Sequence, residues 1–207
     1  MTAVDRDQAN RSEAPAERQV VLVRHGETEW ARLGRHTGRT DIELTEVGRD
    51  QAHTLGRRLT GRSFALVLTS PLSRAAETAA LAGYPDAIRD PDLREWDYGA
   101  LEGLTSTEIR TRYPGWRIWT GPWPDGEQPD DVAQRADRVI DRLLSTEVHG
   151  DTLIVAHGHL LRVLAARWLH LPPTEGRLFA LGTATISVLG WEHDAPVIES
   201  WNERPPA

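Results

Sequence analysis

The sequence predicts an α/β fold with three layers, in which helices cover both faces of a mostly parallel central sheet. Three short apolar runs indicate buried strands, because each ends in a cluster of polar or turn residues: VVLV (Val20–Val23), FALVLT (Phe64–Thr69) and TLIVA (Thr152–Ala156). Runs of this length that are rich in Val, Leu and Ile are typical of strands buried on both faces. Helical patterns lie between these runs, and strands that alternate with helices indicate a parallel sheet.

Four segments between or after the strands show helical periodicity. The first, residues 44–59, has Thr45 as its expected N-cap, and its apolar positions are Val47, Ala52, Leu55 and Leu59. A second helix follows the run at 64–69, with Gly83 as its stop signal. The third covers residues 131–144, and its expected apolar face is formed by Val132, Ala136, Val139, Ile140, Leu143 and Leu144.

The fourth helix, LLRVLAARWL, follows the strand at 152–156, and the last apolar segments predict a closing hairpin or edge strands. The length of 207 residues predicts a single domain. We place this domain at residues 19–203 and interpret the polar residues 1–18 as a disordered extension. Residues 94–128, rich in Trp, Gly and Pro, are interpreted as a capping insertion over the ligand-binding edge of the sheet.

The composition excludes several kinds of chemistry. The chain has no cysteine, and all 24 residues in the Lys+Arg count are arginine. A thiolate nucleophile, a lysine Schiff base and a P-loop lysine are therefore excluded. The net charge is −7 and the arginines are dispersed, so we expect no nucleic-acid partner. No run approaches the roughly 20 apolar residues of a membrane helix, and the polar N-terminal segment does not resemble a secretory signal. We therefore expect no membrane partner and a cytoplasmic location.

Charged side chains follow three of the predicted strands. Arg24 and His25 end the first strand, Arg74 lies just after the second, and His157 with Gly158 ends the third. Because ligands bind beyond the carboxyl ends of parallel strands, we expect these groups to converge. The glycine after each histidine is expected to let the backbone approach an anion, and the helix N-termini to offer free N–H groups. Two imidazoles and two guanidiniums suit a dianion, and phosphate fits best.

A histidine in such a pocket can act as a nucleophile, because a neutral imidazole attacks phosphorus while cationic neighbours stabilise the transferring group. Glu95, beside Trp96, is the expected proton donor for the leaving alcohol, although Asp97, Glu102 and Glu127 are nearby carboxylates.

Three features allow more than one interpretation. The H-G-H spacing of His157 and His159 could indicate a metal pair, but no carboxylate-rich ligand set accompanies it, so no metal or other cofactor is predicted. Trp116, Trp119 and Trp123 either pack a lid or line the pocket for the leaving group. His36 either faces the site or lies in a solvated loop.

Five motifs occur in the order found in the histidine phosphatase superfamily, which includes the phosphoglycerate mutases. They are VLVRHGETEW, TGRTDIELTEVGRDQA, LTSPLSRAAETA, LREWDYGALEG and LIVAHGHLLR. The resemblance implies that His25 is phosphorylated, and that Glu95 serves as proton donor and later as base for the attacking water. It also implies that Arg24, Arg74 and His157 form the rest of the phosphate pocket. Thr37 and Gly38 match a loop that touches substrate.

Departures from the mutase pattern favour a phosphatase. Ala31 stands where cofactor-dependent mutases usually carry asparagine, and Trp96 stands where an arginine helps to hold the acidic substrate. Asp97 is expected to repel a phosphoglycerate carboxylate, and GPWPDGE resembles a phosphatase segment with Gln128 in the serine position. EWDYG most resembles the acid phosphatase and sugar-bisphosphatase members.

The sequence therefore predicts a metal-independent hydrolase for a small phosphorylated metabolite of the sugar phosphate or phosphoglycerate type. The alternatives are a phosphoglycerate mutase or a non-catalytic module that binds a phosphorylated ligand. The sequence also leaves open a homodimer formed through the edge of the sheet.

Overall fold

The computed structural model of this chain describes residues 18–145 and 148–204. Its strands are β1 (Val20–Arg24), β2 (Leu66–Thr69), β3 (Ile88–Arg89), β4 (Thr152–Ala156), β5 (Ile186–Glu192) and β6 (Ala195–Glu203). They form one sheet in the order β3-β2-β4-β1-β5-β6. The first four strands run parallel, whereas β5 pairs antiparallel with both β1 and β6. The predicted α/β fold with a mostly parallel sheet is confirmed, as is the closing hairpin.

In the described residues, six α-helices accompany the sheet: α1 (Glu29–Arg32), α2 (Glu46–Leu59), α3 (Ser73–Leu81), α4 (Ser106–Arg112), α5 (Pro129–Leu144) and α6 (Gly158–Trp168). Side chains that alternate along β1 face opposite layers. Val21 and Val23 belong to the core cluster with α2 and α3, whereas Val20 and Leu22 pack in the cluster with α5 and α6. The sheet is therefore covered on both faces, as three layers require.

Local capping explains where the helices begin and end. Thr45 caps α2 as predicted, because its Oγ1 accepts a hydrogen bond from the N–H of Gly48 at 3.0 Å. The third predicted helix begins two residues earlier than expected, at Pro129, since proline is well accommodated in the first turn. Helix α3 ends at Leu81, and Gly83 adopts the positive φ that suits a helix stop.

Two residues assigned to apolar faces are exposed, so those assignments were wrong. Val47 is 55% exposed because the buried position in that turn belongs to Gly48, whose backbone contacts Glu27. Leu144 is 41% exposed at the last turn of α5, beyond the buried Leu143.

Residues 94–128 do more than cover the edge of the sheet. Trp96, Trp116 and Trp119 are buried and belong to the core cluster that contains α5 and α6. The segment also contains α4, which the sequence reading did not predict because its seven residues bury only Ile109. A capping box between Thr105 and Glu108 was the available signal for this helix. The predicted extension at residues 1–18 lies, apart from Arg18, outside the described residues.

Candidate active site

A cavity of about 570 Å³ opens beyond the carboxyl ends of β1 and β4. Among the residues predicted for the site, its wall includes Arg24, His25, Thr37, Glu95 and Gly158. The other three, Gly38, Arg74 and His157, are buried behind this wall. The sheet therefore brings the predicted constellation together in two layers, one that faces the cavity and one that supports it.

His25 has the geometry of a nucleophile. Its backbone N–H extends the strand pairing to Ala156 at 3.0 Å, and its ring Nδ1 lies 2.7 Å from the carbonyl of Gly26. Because a carbonyl only accepts, Nδ1 carries the proton and Nε2 keeps its lone pair. Burial lowers the pKa of His25 well below its ordinary value, and the charges of Arg74 and Arg24 lower it further. His25 is therefore neutral at neutral pH.

His157 stands next to His25, with 5.1 Å between the ring centroids. Its Nδ1 accepts a hydrogen bond from Arg74 Nε at 3.2 Å, so its Nε2 carries the proton that reaches Ser70 Oγ at 2.7 Å. Burial, followed by the charge of Arg74, holds the pKa of His157 well below its ordinary value. His157 thus presents a neutral, oriented ring beside the nucleophile, and direct contact with phosphate stays a prediction.

Arg74 is fully buried, and its guanidinium binds the loop that contains Thr37 and Gly38. It donates to the carbonyls of Thr37 at 3.2 Å, Gly38 at 3.0 Å and Thr40 at 3.0 Å. The same loop is held from the other side by Glu102, whose Oε1 accepts the N–H groups of Gly38 and Thr40 at 2.9 and 2.7 Å. In this structure Arg74 positions the loop, and a direct role toward phosphate stays a prediction.

Arg24 offers an unused donor at the cavity wall. Its Nη1 donates to the carbonyl of Leu181 at 2.6 Å, whereas its buried Nε has no hydrogen-bond partner in the described part of the chain. An unpaired buried donor is uncommon in proteins, and at a cavity wall it is suited to donate to an anionic ligand. Gly158 leaves the space for this guanidinium, because a Cβ there would lie 3.2 Å from Arg24 Cζ. The geometry suits an anion beside Arg24.

Glu95 is fixed by three backbone donors. Its Oε1 accepts the N–H groups of Leu160 and Trp96, each at 2.9 Å, and its Oε2 accepts that of His159 at 3.0 Å. The environment of the carboxyl is therefore the N-terminus of α6, rather than the apolar setting expected from Trp96. Glu95 thus takes two of the N–H groups expected there for an anion, those of His159 and Leu160, and the expectation stays a prediction for the N–H of Gly158 at the cavity wall.

The rival carboxylates have other partners. Glu127 forms two hydrogen bonds with Arg135 at 2.7 and 2.8 Å, and Glu102 holds the Thr37 loop as described. Asp97 pairs with Arg39 at 2.8 Å and does not line the cavity. The expectation that Asp97 repels a substrate carboxylate is therefore not supported by its position.

The glycine after His25 has a different function from the one expected. A Cβ on Gly26 would lie 2.4 Å from the carbonyl oxygen of Gly48, so the residue permits contact with α2 rather than approach to an anion.

Aromatic side chains line the cavity together with His25 and Glu95; the sequence offered Trp116, Trp119 and His36 as candidates, whereas Tyr98 and His159 were not assigned to it. His36, Tyr98 and His159 line the cavity together with Trp116 and Trp119, whereas Trp123 packs behind it near Trp96. The Tyr98 hydroxyl lies 2.6 Å from His159 Nδ1; burial raises the pKa of Tyr98 well above its ordinary value and lowers that of His159 well below its own. Tyr98 therefore donates to a neutral His159. The H-G-H spacing was the sequence signal for His159, and the Trp-rich segment was the signal for the wall.

Within residues 18–145 and 148–204, no three His, Asp or Glu side chains come close enough together to hold a metal ion. No helix in this part of the chain has the length and apolarity that a membrane span requires.

The fold and the site define an α/β protein in which two histidines and an arginine meet beside a cavity at the carboxyl edge of a mostly parallel sheet. The chain belongs to the histidine phosphatase superfamily, because residues 20–204 match the family model described as "Histidine phosphatase superfamily (branch 1)".

Some relatives are named as phosphatases and others as mutases. An acid phosphatase of Mycobacterium tuberculosis is 44% identical over 176 residues, which cover 84% of this chain and 87% of that protein. A 2,3-bisphosphoglycerate-dependent phosphoglycerate mutase of a Methylobacterium species is 40% identical and covers 72% of this chain and 79% of its own length. A solved mycobacterial glucosyl-3-phosphoglycerate phosphatase in complex with VO3 is 31% identical, with a TM-score of 0.82, and the match covers 91% of this chain and 100% of that one.

Proposed function

We propose that this chain is a metal-independent phosphomonoesterase of the acid phosphatase type that acts on a small phosphorylated metabolite. The observation that carries the proposal is the neutral His25, whose Nδ1 is bound to the Gly26 carbonyl while its ring lines a cavity beside the unpaired Nε of Arg24. The lowered pKa also keeps the nucleophile unprotonated in mildly acidic solution, which suits an acid phosphatase.

In the first step, His25 Nε2 attacks phosphorus and the ester P–O bond breaks. Arg24 stabilises the charge on the transferring group, and Glu95 gives a proton to the leaving alcohol oxygen. In the second step, water attacks the phosphohistidine while Glu95 accepts its proton. The P–N bond breaks, inorganic phosphate leaves and the neutral imidazole is restored.

A phosphoglycerate mutase is the second candidate, and the identity to the Methylobacterium mutase favours keeping it. Ala31 favours the hydrolase: it lines the cavity with a methyl group, where cofactor-dependent mutases usually present an asparagine amide. Conversion of 3-phosphoglycerate to 2-phosphoglycerate faster than release of phosphate would establish the mutase instead.

The decisive variant is His25→Ala, assayed with p-nitrophenyl phosphate in the presence of EDTA. We expect wild-type turnover to persist in EDTA and the variant to lose roughly 10³-fold or more in kcat, because the covalent carrier is gone. Wild-type protein quenched during turnover should carry an acid-labile, base-stable phosphate that His25→Ala lacks.

The matched control is His53→Ala, which removes an exposed histidine from α2. Its activity should equal that of the wild type. Full activity of His25→Ala would contradict the mechanism, as would loss of wild-type activity in EDTA.

A further inference from the structure

The cavity carries more positive charge than a single phosphate group needs. Besides Arg24, five further arginines line it, and Glu95 is the one carboxylate among the described lining residues. The five arginines are Arg35, Arg110, Arg117, Arg162 and Arg177. Two of them pair with carboxylates outside the wall, Arg35 with Glu108 at 3.6 Å and Arg177 with Glu175 at 3.0 Å. The excess of positive charge therefore comes from the other three, in a chain whose net charge is −7.

Many arginines elsewhere in the structure are neutralised by carboxylates, as Arg135 is by Glu127 and Arg167 by Asp137. In the cavity, by contrast, Arg110, Arg117 and Arg162 have no carboxylate oxygen within 4.0 Å among the described residues. Like charges that converge without a counter-ion repel one another, and a bound anion relieves that repulsion.

Two of these arginines stand at the mouth of the cavity. Arg110 lies in the last turn of α4, where its Nε donates to the carbonyl of Trp116 at 3.1 Å. Arg117 follows Trp116 directly in the chain, and both arginines are exposed while they line the cavity. Their charges therefore border the opening through which a ligand enters.

Arg162 lies deeper, on α6. Its guanidinium carbon stands 4.6 Å from the centre of the Trp119 ring, and its Nε donates to the carbonyl of Gly176 at 3.0 Å. The wall also includes the large side chains Trp116, Ile118 and Trp119. The cavity therefore combines the buried His25 with the exposed cationic side chains of Arg110 and Arg117.

We propose that the substrate is a phosphomonoester whose leaving group carries a second anionic group, a carboxylate or a phosphate. Arg110 and Arg117 bind this second group at the mouth of the cavity, and Arg162 adds a positive charge beside it. This inference rests on the proposed hydrolase. It narrows the substrate from any small phosphate ester to one with negative charge at both ends. The volume of about 570 Å³ is typical of sites that enclose a whole small ligand, which leaves room for both groups.

Three substrates with the same open six-carbon backbone test the proposal. Glucitol 6-phosphate has a neutral far end, 6-phosphogluconate has a carboxylate there, and glucitol 1,6-bisphosphate has a second phosphate. We expect kcat/KM to be at least tenfold higher for one of the two doubly anionic substrates than for glucitol 6-phosphate. Whichever of the two has the higher kcat/KM identifies the second anionic group as a carboxylate or a phosphate. Its advantage in kcat/KM over glucitol 6-phosphate should decrease in high salt because exposed charges are screened.

Arg117→Gln is the cleanest variant, because the Arg117 side chain contacts no described carboxylate, whereas Arg110 also supports the Trp116 turn. We expect the ratio of kcat/KM between the preferred substrate and glucitol 6-phosphate to fall at least fivefold. Arg112→Gln is the matched control: Arg112 is an exposed arginine of α4 outside the cavity wall, and its loss should leave the ratio and the activity unchanged.

The outcomes separate the two proposals. Hydrolysis of p-nitrophenyl phosphate without any preference among the three six-carbon substrates would overturn the second-anion site while the hydrolase stands. An equal fall for all substrates in Arg117→Gln would also overturn it, because the arginine would then act on the reacting phosphate. Absence of hydrolysis of every ester would instead overturn the proposed function.

Discussion

At the scale of single residues, the proposed chemistry depends on which atoms the backbone occupies. Nδ1 of His25 donates to the Gly26 carbonyl, so the lone pair of Nε2 is available for attack. Backbone N–H groups in the first turn of α6 donate to both carboxylate oxygens of Glu95. One residue is thereby oriented as a nucleophile, and the other is held at the edge of the cavity where a leaving oxygen can reach it. Burial fixes the charge state of His25, since it disfavours the protonated ring.

Substitution of the proton donor should depend on the leaving group. For an alkyl phosphate such as glucitol 6-phosphate, we expect Glu95→Gln to lower kcat by about 10²–10⁴-fold, because an alkoxide leaves poorly without a proton. For p-nitrophenyl phosphate the loss should be much smaller in the first step, since nitrophenolate leaves unaided. Burst kinetics with p-nitrophenyl phosphate would measure that step separately from the second.

Glu29→Gln, at an exposed position of α1, is the control and should keep wild-type rates with both substrates. Equal losses with alkyl and nitrophenyl esters in the first step would argue that Glu95 only supports the structure of α6.

The sequence could predict Arg24 and His25 because they end a predicted strand, and Glu95 because it lies in a motif that resembles those of the family. It could not predict that Arg74 donates to the carbonyls of Thr37, Gly38 and Thr40, or that Glu95 accepts the N–H groups of His159 and Leu160 in α6. Those pairings join segments far apart in the chain. They depend on loop conformations for which the sequence carries no periodic signal.

At the scale of elements, the loop after β1 is fixed against α2 by two glycines. A Cβ on Gly26 would lie 2.4 Å from the Gly48 carbonyl oxygen, and a Cβ on Gly48 would lie 2.1 Å from that of Glu27. Thr45 strengthens the same contact, since its N–H donates to the Glu27 carbonyl at 3.0 Å. Helix α2, which contributes no residue to the cavity wall, therefore positions the loop that follows His25.

Gly26→Ala should separate the loop from α2. We expect a loss of about 1–3 kcal/mol in the free energy of unfolding, because the added methyl group meets backbone that cannot move aside cheaply. Urea unfolding would measure the loss, and kcat should fall as well because His25 is the neighbouring residue. A variant with unchanged stability and unchanged kcat would show that the loop relaxes freely and that the contact is not required.

The long, periodic elements of the fold were predictable, and the short ones were not. Strands β1 and β4 and helix α5 have continuous apolar or helical patterns that survive in the structure with shifts of one or two residues at their ends. Strand β3 has two exposed residues and α4 buries a single side chain, so neither shows a hydrophobic pattern. Strand β3 is positioned by its pairing with β2, and α4 by the burial of Ile109 in the core cluster, rather than by a local sequence pattern.

At the scale of the whole molecule, a negatively charged chain surrounds a cationic cavity that contains buried, neutral histidines. Burial is the largest cause of the lowered pKa values of His25, His157 and His159, and neighbouring arginines add to it. Strand β6 lies at the edge of the sheet. A homodimer formed through the edge of the sheet stays a prediction, and a measurement of molar mass in solution would test it. The buried histidines also make the free energy of unfolding depend on pH.

Mild acid should destabilise the protein. Below the ordinary histidine pKa of about 6.5, His25, His157 and His159 are protonated in the unfolded chain but stay neutral in the folded protein. These histidines should therefore lower the free energy of unfolding as the pH decreases from about 6.5 towards 5. Asp92, whose pKa is lowered by its hydrogen bond with Arg138, adds a similar loss only in stronger acid. Urea midpoints at pH 7.5, 6.0 and 5.0 measure the slope.

His159→Gln should reduce the slope whatever its effect on stability at pH 7.5, whereas His53→Gln, at an exposed position of α2, should keep the wild-type slope. A pH-independent midpoint in the wild type would mean that the buried histidines accept protons in the folded state, and it would remove the basis for a neutral His25 in acid.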